Sequence, residues 1–120
     1  MISKVQAYNT NQPNFTSRVR FSLRFYNSRE ILKNQIKILE KNGNNDLVLL
    51  DRNENENRIY LKVYKKDKNK IVENTTWGYA PYTLEDKKGH SIVDLYNKVV
   101  NEKKDEFKES RLSKILFEYL

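Results

Sequence analysis

Two segments of the chain carry arginine, lysine and tyrosine side chains at alternate positions. Such side chains can bind a nucleic-acid strand, because cations neutralise phosphates and aromatic rings stack on bases. If both segments are strands of one sheet, their alternate residues lie on the same face. The set expected there is Arg18, Arg20, Arg24, Tyr26, Arg58, Tyr60, Lys62 and Tyr64. Arginine is concentrated in this set although lysine dominates elsewhere, which a composition bias alone does not explain.

A solvated sheet face without a ligand explains the same pattern. On half-exposed antiparallel sheets, tyrosine rings and the stems of lysine and arginine pack across neighbouring strands and stabilise the sheet by themselves. The sequence therefore leaves both interpretations of this face open.

Residues for metal, thiol and nucleotide chemistry are scarce. The chain has no cysteine and a single histidine, His90, which excludes thiolate nucleophiles and sites with two histidines. Its three glycines, Gly43, Gly78 and Gly89, are unpaired and form neither a P-loop nor a dinucleotide fingerprint. We interpret His90 as a loop residue and predict no catalytic residue, no metal site and no cofactor.

The stretch 51–57 carries oxygen-bearing side chains at alternate positions, as a calcium-binding loop does. The match fails at the sixth position, where Glu56 replaces the required glycine, and at the twelfth, where Lys62 replaces a bidentate glutamate. We therefore predict a solvated hairpin loop.

Length and charge restrict the class of protein to which this chain can belong. The 120 residues fit one domain, and 23 Lys and Arg against 16 Asp and Glu give a net charge of +7, which favours polyanions or acidic proteins as partners. The absence of cysteine is typical of a cytoplasmic protein. No run is apolar enough for a membrane span, and residues 1–12 lack the apolar centre of a secretory signal. We therefore expect a cytoplasmic protein without a membrane partner.

Hydrophobic periodicity predicts a strand and a helix in the first third of the chain. Residues 1–14 are polar and aperiodic, so we expect a flexible N-terminal arm. Residues 15–26 alternate as a half-buried strand does. The inward residues of this strand are Val19, Phe21, Leu23 and Phe25. Asn27 or Ser28 then caps a helix that ends at Gly43. The apolar stripe of this helix is Ile31, Leu32, Gln35, Ile36 and Leu39.

Three further strands are predicted in the middle of the chain. The continuous apolar run 47–50 is typical of a buried strand. The next strand alternates through 58–64 and the last covers 71–77. The inward residues of the alternating strand are Ile59, Leu61 and Val63. A loop over 78–89 follows.

The C-terminal third predicts two helices with a break. Ser91 with Asp94 three residues later approximates a capping box and begins a helix. The charged stretch 102–109 interrupts the apolar pattern. Residues 112–120 resume it with more apolar side chains than one helical stripe holds, so we expect this segment to dock on the core, or alternatively to form a homodimer contact.

Together these elements predict a single α+β domain over residues 15–120. The predicted order is β-α-β-β-β-α-α, with a small mixed or antiparallel four-stranded sheet and helices packed on one face. The first β-α-β step is expected to be a right-handed parallel crossover.

Three functions remain open on this sequence. The first is a non-enzymatic protein that binds RNA or another single-stranded nucleic acid through the basic and aromatic sheet face. The second is a protein-interaction or regulatory module, of the kind found in phages or mobile elements, that binds an acidic protein surface. The third is a small ribonuclease that uses tyrosine, lysine, arginine and His90.

Overall fold

The computed structural model describes residues 17–28, 30, 32–41, 45–79 and 91–120. The predicted arm over 1–14 and the predicted helix end at Gly43 lie outside these residues, as do His90 and most of the predicted loop over 78–89. Among the described residues, no helix is long and apolar enough to cross a membrane.

In the part of the chain that the structure describes, a mixed five-stranded sheet forms the centre of the fold. Its strands follow the order of the chain: β1 (Arg18–Phe21), β2 (Leu47–Asn53), β3 (Arg58–Asp67), β4 (Lys70–Tyr79) and β5 (Lys108–Glu109). β1 lies parallel to β2, as the β-α-β prediction requires, and the remaining neighbours are antiparallel. The prediction of four strands missed β5, because this strand has only two residues and both are exposed and charged.

The described residues form three α-helices beside the sheet, so the fold is α+β as predicted. They are α1 (Lys33–Glu40), α2 (Ile92–Asn97) and α3 (Lys114–Tyr119). A π-helical turn, Lys98–Glu102, continues α2, and 3-10 helices cover Leu23–Ser28 and Lys104–Glu106. Ser91 caps α2 as predicted, since its hydroxyl accepts hydrogen bonds from the backbone N–H groups of Val93 and Asp94.

The first strand is shorter than predicted. β1 ends at Phe21, and the remainder of the predicted strand forms the 3-10 helix Leu23–Ser28. Ser22 fixes this turn, because its carbonyl and its hydroxyl both accept from the N–H of Phe25 while the hydroxyl donates to Asp51 on β2. Phe25 is fully buried, as predicted, whereas Leu23 is 90% exposed rather than inward. The predicted helix cap at residues 27–28 is also wrong, because these residues belong to the 3-10 helix and α1 begins later.

The main core lies between one face of the sheet and the pair α1 and α2. The sheet contributes Val19, Val48, Leu50, Ile59, Leu61 and Val63. The helical layer, which includes the residue before α1 and the π-helical turn after α2, contributes Leu32, Ile36, Leu39, Ile92, Leu95, Tyr96 and Val99. The side-chain amide oxygen of Gln35 on α1 accepts from the N–H of Ile92 at 2.6 Å and joins the two helices. We name this side of the sheet the core face.

The third helix packs on the opposite side, so the prediction that all helices share one face is wrong. Phe117 of α3 is buried in a second cluster with Leu47 and Ile71. Strand residues alternate between faces, so the continuous run 47–50 presents apolar side chains on both sides and the second side requires its own cover. Residues 112–120 were predicted to dock on the core, but they pack on the other side of the sheet, away from the main core. We name this side the second face.

A buried carboxylate joins β2, β3 and α2. Asp46 is almost fully buried and accepts a hydrogen bond from the hydroxyl of Tyr96, while the ammonium of Lys65 lies 3.8 Å away. Burial raises the pKa of Asp46 above its ordinary value of 3.8, although Tyr96 and Lys65 act in the opposite direction. The folded protein therefore binds a proton at Asp46 more readily than the unfolded chain does.

This difference predicts a pH-dependent stability. A carboxyl with a raised pKa in the folded state contributes stability that is complete below its unfolded pKa and is lost as pH rises through its folded pKa. The unfolding free energy of the wild type relative to Asp46→Asn should consequently increase as pH falls from neutral towards about 4. Urea unfolding of both proteins across this range measures the difference; a constant or decreasing difference would contradict the raised pKa.

Candidate nucleic-acid interface

Six of the eight residues predicted for the binding face do lie on one face of the sheet. Through the register of β1, β2 and β3, Arg18 aligns with Tyr64 and Arg20 aligns with Lys62 across the intervening β2 residues. Tyr60 and Arg58 follow on the same side of β3. Because β1 and β3 are both neighbours of β2, the two alternating segments share the second face.

The other two predicted residues are not on a strand. Arg24 and Tyr26 belong to the 3-10 helix Leu23–Ser28, and the side chain of Tyr26 lies outside the described part of the chain. Arg24 still reaches the second face from the side, since its guanidinium forms an exposed ion pair with Asp51. Their prediction as strand residues was wrong because β1 ends at Phe21.

Docking of α3 covers part of the second face. The guanidinium of Arg18 lies 4.6 Å from the centre of the Phe117 ring and donates to the backbone carbonyl of Glu118 at 3.2 Å. Burial is the main cause that lowers the pKa of Arg18. Tyr64 packs against the same buried cluster around Phe117. These two residues hold α3 on the sheet and are not available as an open binding surface.

Carboxylates moderate the positive charge of the remaining face. Lys62 lies 3.3 Å from Glu73, and Arg58 lies 3.6 Å from Glu56, which also accepts a hydrogen bond from the Tyr60 hydroxyl at 3.1 Å. Burial alone would lower the pKa of Lys62, but Tyr64 and Glu73 together raise it. A hydrogen bond from Ser110 is the main cause of a lowered pKa at Glu73, and Lys62 adds to it. These ion pairs were not visible in the alternation, because Glu73 and Glu56 belong to other segments of the chain.

Arg20 differs from the other cations of this face. Its side chain is exposed, and its guanidinium donates to the neighbouring carbonyl of Val19 at 3.2 Å. Among the described residues it forms no ion pair with a carboxylate. Arg20 therefore offers its charge to solvent on β1, the strand at the edge of the second face.

β4 adds two exposed aromatic rings that the sequence prediction missed. Tyr60 pairs with Trp77 across the strands, and Arg58 pairs with Tyr79. Trp77 is 39% exposed and Tyr79 47% exposed. The predicted strand ended at Trp77, whereas β4 continues to Tyr79, so its alternation places both rings on the second face. If the predicted strand had been extended through Gly78 to Tyr79, its alternation would have placed Trp77 and Tyr79 on the same face.

Arg58, Tyr60, Trp77 and Tyr79 form a compact surface patch at one end of the sheet, which we name the aromatic patch. The Arg58 guanidinium lies 3.9 Å from the centre of the Trp77 ring, and the Trp77 and Tyr79 rings meet edge to face at 5.4 Å. Aromatic surface held in place by neighbouring side chains can accept a flat ligand without a large loss of side-chain entropy.

The acidic stretch after β2 forms a hairpin turn, as predicted. The side-chain oxygen of Asn53 accepts from the N–H groups of Asn55 and Glu56, and Asn57 adopts a positive φ of 53° that closes the turn. The part of the chain that the structure describes holds no cluster of three metal-ligating side chains.

Comparison with known proteins finds no relative for this fold. No protein-family model, curated protein or solved structure matches the chain.

Proposed function

We propose that the protein binds single-stranded nucleic acid, RNA or DNA, by stacking bases on the aromatic patch. The observation that carries this proposal is the exposure of Trp77 and Tyr79 beside Arg58 on an open sheet surface. Every base has a planar face, so aromatic and guanidinium planes can bind a single strand without reading its sequence. A duplex hides the base faces, which is why a single strand suits this surface better.

The charges around the aromatic patch support a strand that continues along the second face. Arg20 and Lys62 lie in one row across β1, β2 and β3, and Tyr60 is the next residue of β3 on the same face. Phosphates can approach the exposed Arg20 while bases stack at the aromatic patch. The net charge of +7 also attracts a polyanion from a distance, and salt weakens this attraction.

Fluorescence of the wild-type protein tests the proposal directly. Trp77 is the only tryptophan of the chain, so its emission reports on the aromatic patch alone. We expect a single-stranded oligonucleotide to quench this emission at low salt and the affinity to fall as salt increases. A matched duplex should bind more weakly. Unchanged emission, together with unchanged anisotropy of a labelled oligonucleotide at low salt, would refute the proposal.

A protein partner is the second candidate. Its specific support is the pairing of Arg24, Arg58 and Lys62 with carboxylates, which lowers the local attraction for phosphates. Tryptophan, tyrosine and arginine are also the residues that dominate the energy of protein interfaces. A purified partner that stays bound after nuclease treatment, but is released from a Trp77→Ala variant, would favour this function over nucleic-acid binding.

A further inference from the structure

A cleft of about 430 Å³ opens beside the aromatic patch at the outer edge of β4. It is lined by Tyr60, Thr75, Thr76, Trp77, Tyr79, Lys98 and Lys103. Thr76 belongs to the core face and Trp77 to the second face, so the cleft wraps around the strand. Its volume lies in the range of sites for small ligands, about 300–1,000 Å³.

Lys98 begins the π-helical turn that follows α2, and Lys103 directly follows this turn. The N–H of Lys103 donates to the carbonyl of Lys98 at 2.9 Å and closes this turn. Turns of this kind are rare and frequently occur at functional sites. The turn brings an amino group from the helical layer next to the aromatic rings of the sheet.

Lys103 has a structural role in the cleft. Its ammonium donates to the carbonyl of Thr75 at 2.8 Å, and its own carbonyl accepts from the side-chain amide of Asn74 at 2.8 Å. These two bonds attach the turn to β4 and fix the wall of the cleft. The charge of Lys103 is further offset by Glu106, which lies 3.9 Å away.

Lys98 is the available cation. Its side chain is exposed, and it forms no ion pair with a carboxylate among the described residues. One wall of the cleft thus offers planar rings and another offers an ammonium group. A ligand that satisfies both walls needs a flat aromatic part and an anionic part joined by a short link.

We infer that this cleft binds a nucleoside monophosphate unit, with the base on the exposed rings of Trp77 and Tyr79 and the phosphate at the ammonium of Lys98. The unit can be a free nucleotide or the phosphorylated end of a single strand, which share this chemistry. The inference uses the same rings as the proposed function but adds Lys98 and the phosphate. It therefore succeeds or fails on a different measurement.

Calorimetric titration of the full chain provides this measurement. Adenosine 5′-monophosphate should bind about threefold or more tightly than adenosine, because an ion pair between the phosphate and the exposed ammonium of Lys98 adds to the stacking of the base. Inorganic phosphate alone should bind more weakly than the monophosphate. The Lys98→Gln variant should bind the monophosphate and adenosine equally.

A matched control removes the same charge outside the cleft. Lys104 is exposed and does not line the cleft, so Lys104→Gln should keep the preference for the monophosphate. Equal affinities of the wild type for adenosine and its monophosphate would overturn the inference, and so would equal losses in both variants. Circular dichroism establishes that each variant is folded.

Oligonucleotides separate the two sources and the two proposals. Tighter binding of a strand that carries a terminal phosphate, lost in Lys98→Gln, identifies a strand end as the ligand; a preference confined to the mononucleotide identifies a free nucleotide. Oligonucleotide binding without any effect of Lys98→Gln or of the phosphate would overturn this inference and leave the proposed function intact. Lys98-dependent binding of the monophosphate without any oligonucleotide binding would support this inference and overturn the proposed function.

Discussion

Replacing Phe25 by alanine is expected to lower the free energy of unfolding by about 3–5 kcal/mol, because the substitution removes a buried aromatic ring and leaves a cavity. Phe25 is fully buried in the main core, and its ring centre lies 5.8 Å from that of Phe21. A domain of this size has a total stability of about 5–15 kcal/mol, so the substitution should remove a large fraction of it. Urea unfolding followed by circular dichroism measures the loss.

Leu23→Ala is the matched control for this experiment. Leu23 is two residues from Phe25, and a strand would place both side chains on the inward face. In the 3-10 helix Leu23 is 90% exposed, so its replacement should change the stability by no more than about 0.5 kcal/mol. Similar large losses in both variants would show that residues 22–26 continue β1 as a strand.

Replacing Trp77 by alanine is expected to weaken the binding of single-stranded nucleic acid by about tenfold or more. Stacking of one base on an aromatic side chain contributes about 1–3 kcal/mol, and each 1.4 kcal/mol corresponds to a factor of ten in affinity. The substitution also removes the ring against which the Arg58 guanidinium lies, so a second planar group loses its position. Anisotropy of a labelled oligonucleotide measures the change without relying on tryptophan fluorescence.

Two further variants decide whether the loss comes from the aromatic patch. Trp77→Phe keeps an aromatic plane and should retain part of the affinity. Tyr119→Ala removes a ring that is 83% exposed on α3, outside the aromatic patch, and should leave the affinity unchanged. If Trp77→Ala bound the oligonucleotide as the wild type does, bases would not stack at this position and the proposed site would be wrong.

The sequence by itself determined the elements whose pattern repeats regularly. Strict alternation placed Ile59, Leu61 and Val63 on the core face and their neighbours in β3 on the second face, because a strand allows no other arrangement of successive side chains. A hydroxyl at Ser91 before a helical pattern predicted the start of α2, since capping depends only on nearby backbone groups. These signals are local, and the tertiary structure did not override them.

Contacts between segments that are distant in the sequence determined where β1 ends and where α3 packs. The turn that ends β1 depends on Ser22 meeting Asp51, and the pattern before it gives no sign of that hydrogen bond. α3 lies on the second face because Phe117 is buried there against Leu47 and Ile71. The apolar stripe of a helix does not predict this position, since it does not identify the surface on which the helix packs.

The predicted binding face was likewise determined partly by local sequence pattern and partly by tertiary structure. Alternation alone grouped Arg20, Arg58, Tyr60 and Lys62, because side-chain direction along a strand is a local property. Only the tertiary structure showed that α3 covers Arg18 and Tyr64 and that Trp77 and Tyr79 join the open part. The physical reason is that the exposure of a side chain and the identity of its neighbours depend on the register of paired strands and on the packing of distant helices. No local pattern encodes either of these.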